Sequence, residues 1–104
     1  MHHPVMNNTK WNELRLAMYT TEPAPRWSTL CQNGYRSAPD REWHYHFRDG
    51  GYDDIVYVDI FADDREHRER ITTAIKRIHV PGEETDDGFR VYGYAERGQT
   101  LDYL

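Results

Sequence analysis

The chain of 104 residues has one cysteine, Cys31, which excludes an internal disulfide and the usual multi-cysteine zinc patterns and suits a reducing compartment. It has no apolar run of bilayer-spanning length, and its N-terminal MHHPVMNNTK lacks the apolar stretch of a signal peptide, so the expected location is cytoplasmic, without a membrane partner. It has no excess of basic residues either. With 13 Lys and Arg against 18 Asp and Glu, the formal charge of −5 would repel a duplex phosphate backbone. No G-x-S-x-G, P-loop or H-E-x-x-H is present, no flanking pattern marks Cys31 as an activated nucleophile, and no repeat or linker divides the chain.

Aromatic residues, by contrast, are plentiful. Eight Tyr, three Trp and three Phe give far more apolar area than a disordered acidic chain carries, so the expectation is one compact domain over 1–104, with residues 1–7 as a flexible tail.

Hydrophobic periodicity orders the elements. In NTKWNELRLAMYT, Trp11, Leu14, Ala17 and Met18 recur at helical spacing behind a cap at Asn8 or Thr9, and Pro23 and Pro25 end that helix. RWSTLC reads as a strand, and QNGYRSAPD as a loop. EWHYHFRDGGYDDIVYVDI, residues 42–60, reads as two strands around a Gly-Gly turn, with Trp43, Tyr45 and Phe47 inward on the first and Val56, Val58 and Ile60 inward on the second. DDREHRERITTAIKRIH is a helix capped by Asp63 or Asp64, its stripe Ile71, Ala74, Ile75 and Ile78 buried and its last turn basic. EETDD is an acidic loop and GFRVYGY the final strand. The class is α+β: an antiparallel sheet of about four strands with two helices on one face, in the order α-β-β-β-α-β.

If both helices cover the apolar face, the other face presents His44, His46, Arg48, Tyr57, Asp59, Arg90, Tyr92 and Tyr94. Tyr and Arg are residue types enriched at binding hot spots. The carboxylates are concentrated as well: Asp49, Asp53, Asp54, Asp59, Asp63 and Asp64 lie in a window free of Lys and Arg, and Glu83, Glu84, Asp86 and Asp87 form a second. Turn and cap chemistry accounts for part of this clustering. Neither window has the order of a calcium loop.

NTKW at 8–11, YHFRDGGY at 45–52, IHVPGE at 78–83 and GFRVYGY at 88–94 together resemble a family of small single-domain bacterial proteins without an assigned function. The resemblance implies bacterial origin and a compact cytosolic domain, and it transfers no catalytic residue. In size, charge and surface character the chain also resembles immunity proteins, which neutralise a toxin by covering its active site.

The leading expectation is therefore a non-enzymatic protein-binding module without cofactor or metal. It would dock Asp53, Asp54, Tyr57, Asp59, Glu83, Glu84, Arg90, Tyr92 and Tyr94 against the basic surface of a cognate protein, such as a toxin domain. A second reading is a small metal-assisted or acid–base enzyme using His44, His46 and Asp59, because H-x-H on a strand puts both imidazoles on one side. A third is single-stranded nucleic-acid binding, with Tyr57, Tyr92 and Tyr94 stacking bases beside Arg48 and Arg90.

Overall fold

The computed structural model describes residues 2–104. The elements run β1 (His2–Pro4), α1 (Asn8–Tyr19), β2 (Arg26–Cys31), β3 (Ile55–Phe61), α2 (Arg65–Lys76), β4 (Gly82–Thr85), β5 (Gly88–Tyr92) and β6 (Tyr94–Glu96). Strands β2, β3, β5 and β4, in that spatial order, form a four-stranded antiparallel sheet, and β1 pairs with β6 in a separate two-stranded one. The α+β class with two helices over an antiparallel sheet is the one the periodicities indicate. No helix among the described residues is long and apolar enough to cross a membrane.

Register assigns the two sheet faces. Thr29, Val58 and Val91 lie side by side across β2, β3 and β5, as do Trp27, Ile60 and Phe89. This face meets Trp11, Leu14 and Met18 of α1 and Ile71 and Ile75 of α2 in one buried cluster. Ser28, Asp59 and Arg90 occupy the intervening row, on the face the helices leave open.

The helix ends follow capping chemistry. Asn7, one residue before the expected caps, accepts the Lys10 N–H, and Asp64 accepts the His67 N–H at the start of α2. His67 is itself buried: its Nδ1 accepts the Asp63 N–H, so its Nε2–H donates to the Pro23 carbonyl.

Four expectations fail locally, the first being Val56 inward: Ile55 is buried in the core in its place, opposite the register shift between Leu30 and Cys31. Residues 42–48 are not a strand but a series of turns, in which Trp43 and Phe47 enter the core and Tyr45, expected inward, is exposed. The cause is visible at Glu42, whose carboxylate accepts the N–H groups of His44, Tyr45 and His46, closing a helix-like start that a strand could not offer. The acidic segment 83–87 is not only a loop, because Glu83 and Glu84 lie in β4 and pair with Arg90 and Phe89. Residues 2–4 of the expected flexible tail form β1 against Tyr94–Glu96, while Met1 of that tail lies outside the described residues.

Candidate functional site

Asp59 sits at the middle of β3 on the open face, buried beneath two arginines. Arg90 grips it in bidentate fashion, Nε to Oδ1 at 2.7 Å and Nη2 to Oδ2 at 3.1 Å, while Arg36 Nη2 donates to Oδ2 from the other side. Burial alone would raise the Asp59 pKa, but the hydrogen bonds from Arg90 and Arg36 outweigh it and hold the carboxyl below its ordinary value. The same hydrogen bond to Asp59 raises the Arg90 pKa against the opposing effect of burial.

Two tyrosines complete the cluster. The Arg90 guanidinium carbon lies 3.9 Å from the centre of the Tyr57 ring, and Arg36 donates to the Tyr57 hydroxyl at 3.1 Å. The Tyr92 ring meets Tyr57 edge to face at 6.1 Å between centroids. Its hydroxyl donates to Glu83 Oε1 at 2.8 Å, and burial followed by the neighbouring Glu83 raises its pKa. The result is a connected layer of aromatic rings and guanidinium groups on a buried carboxylate. Asp59 has its charge and lone pairs committed to arginine, so it is poorly suited to act as a general base. Arg90 also occupies one face of Tyr57 that a stacked base would need.

Arg36 was missing from the expected face because it follows β2 in what reads as a loop. The Asn33-Gly34 pair reverses the chain: Gly34 has φ +88°, the Cys31 N–H donates to the Tyr35 carbonyl, and Arg36 bridges Leu30 on the edge of β2. Asn-Gly is the sequence signal for that return, although it does not say which side chain reaches Asp59.

The other expected contact residues separate. Glu83 faces Tyr92, whereas Glu84 points to the helix side, 3.6 Å from Arg68. Tyr94 lies past Gly93 on β6 and donates to the Asp53 carbonyl, away from the Tyr57 and Tyr92 pair. Asp53 and Asp54 precede β3 at one end of the face, both exposed. Asp59, expected to meet a basic partner directly, is instead satisfied from within. Acid therefore brackets the open face, at 53–54 and at the β4–β5 turn, while the centre is arginine and tyrosine.

His44, His46 and Asp59 are not brought together. Residue 44 contacts Arg15, whose Nη1 donates to the His44 carbonyl at 3.1 Å, and its ring lies 5.5 Å from that of Tyr19. His46 Nδ1 is 2.7 Å from Asp40 Oδ2, and this contact raises its pKa. The enzyme constellation read from H-x-H required a strand that does not form. Among the described residues, no group of three or more His, Cys, Asp or Glu side chains is placed to hold a metal ion.

No curated protein and no solved structure matches the chain. A family profile does match, over residues 1–98, so the chain belongs to a family of unknown function, DUF6678.

Proposed function

We propose that this protein is a protein-binding module whose contact surface is the open face of the four-stranded sheet, and that within this class it is an immunity-type inhibitor covering the active surface of a bacterial toxin. The observation that carries the binding reading is the Arg36, Tyr57, Arg90 and Tyr92 layer, fixed from below by Asp59 and from the side by Glu83. Side chains already held in place lose little freedom when a partner docks, and Tyr and Arg provide contact area together with polar handles. The exposed carboxylates at the two ends of the face would steer a partner with a basic rim toward it. The immunity-type form rests on small size, net acidity and surface character. The lone cysteine supports action in the reducing cytoplasm.

The test is site-specific photo-crosslinking in the native host, with the probe at Tyr92 and, as control, at Glu69 on the exposed side of α2. One partner should be captured from position 92 and not from position 69. With that partner in hand, Tyr92→Ala should weaken binding by about 30-fold, the scale of a 2 kcal/mol hot spot. Capture only from α2, or unchanged affinity of Tyr92→Ala, would remove the open face from the interface.

A further inference from the structure

Beside Asp54, at one end of the open face, a cavity of about 180 Å³ lies between β2, the start of β3 and the 46–51 turn. Trp27, Phe47 and Ile55 of the core line its apolar side, and Asp49 and Asp54 border it from two separate segments. Gly50 and Gly51 form part of its lip with φ +81° and +84°, and a Cβ built at either would meet nothing within 4 Å, so this side of the cavity is open.

The charges at this cavity are lopsided. None of its lining residues is Lys or Arg, and its one imidazole, His46, is held by Asp40 and also feels the Asp49 charge. Asp54 accepts the Gln32 N–H at 3.3 Å, whereas Asp49 has no hydrogen-bond or ion-pair partner among the described residues. Cys31 also lines the cavity, and burial followed by its hydrogen bond to Asp54 raises its pKa. The thiol therefore stays protonated and serves as a polar wall group, not as a nucleophile.

We propose that this cavity binds a small organic cation with an apolar body, of the class of a protonated primary amine. The apolar side receives the apolar part, while Asp49, which makes no hydrogen bond or ion pair among the described residues, supplies the carboxylate. A carboxylate ligand would meet two like charges, and a neutral one would gain nothing from them.

The experiment is a ¹⁵N NMR titration of the full chain with phenethylammonium chloride at fixed ionic strength, set beside 2-phenylethanol and 3-phenylpropionate. Saturable shifts centred on the Gly50 and Gly51 amides and the Trp27 indole N–H are expected for the amine alone. Asp49→Asn, which breaks no hydrogen bond, should weaken that binding about tenfold. Absence of saturation, equal shifts from all three compounds, or an Asp49→Asn chain that binds the amine as tightly would each overturn the proposal.

Discussion

A carboxylate as buried as Asp59 is stable in its charged form only because two guanidinium groups converge on it. Replacing it with asparagine leaves Arg36 and Arg90 crowded without their shared counter-charge. Their side chains retain 44% and 30% exposure, which moderates the cost relative to a fully enclosed pair. Asp59→Asn should therefore destabilise the fold by about 2–3 kcal/mol at pH 7, read from urea unfolding. The pH dependence has a definite sign. Because the folded-state pKa of Asp59 lies below its unfolded value of about 3.9, the carboxylate's contribution is complete above that value and is lost as pH falls through the lowered one. The gap between wild type and Asp59→Asn should narrow under strong acid, and a constant gap would assign the loss to packing. At this scale alternation put Tyr57, Asp59, Arg90 and Tyr92 on the face their spacing implies, and it failed at Tyr45 and at Val56, where Ile55 beside the register shift between Leu30 and Cys31 enters the core instead. Arg36 and His67 were not legible, since a loop arginine and a helix-turn histidine acquire their partners only through chain reversal and tertiary contact.

The segment 42–48 shows two local patterns competing for one stretch of chain. Trp43, Tyr45 and Phe47 satisfy strand alternation, but Trp43 and Phe47 alone satisfy i, i+4 spacing, and the second pattern prevails because it comes with a cap. The Trp43 indole N–H also finds the Pro25 carbonyl at 2.8 Å, which fixes the turn against the core. Glu42 has its pKa lowered chiefly by the His46 N–H, against a smaller opposing effect of burial. If its carboxylate holds the turn, Glu42→Ala should speed amide hydrogen exchange at His44, Tyr45 and His46 on the order of tenfold, with the β3 amides unaffected. Acid should act on the wild type in the same direction. The cap is complete above the ordinary glutamate pKa and fades as pH falls through the lowered folded value, so protection at these three amides should decline before that of the sheet. Unchanged exchange in Glu42→Ala would show that Trp43 and Phe47 hold the turn unaided. Glu42 opens a stretch that reads as a strand, and a glutamate closing three N–H groups is specified by backbone geometry that composition does not report.

Across the whole molecule, the outer strand β2 has a covered edge and β4 is covered at its start. Along β2, Trp27 exchanges backbone hydrogen bonds with Asp40, and the Ser37 N–H donates to the Thr29 carbonyl. Along β4, the Gly82 N–H donates to the Asp102 carbonyl and the Leu104 N–H to the Val80 carbonyl, each at 2.9 Å, with Tyr103 bridging Pro81. The C-terminal residues thus lie against an edge and leave the Tyr57 and Tyr92 face clear, a placement that periodicity could not decide because four residues are too few to carry a pattern. Leu104 also packs against the buried cluster and lines a cavity beside Phe89 and Ile75. Removing residues 101–104 would free the Gly82 donor and the Val80 acceptor and uncover apolar surface in the same place. An exposed edge of this kind is a template for pairing with a second chain. The shortened chain should lose about 2 kcal/mol of stability and associate with rising concentration in sedimentation equilibrium, while the full chain stays monomeric over the same range. Because association would proceed through β4 and not through the open face, a partner that recognises Tyr92 should still bind the associated form; loss of that binding would place the covered edge and the contact face on one surface.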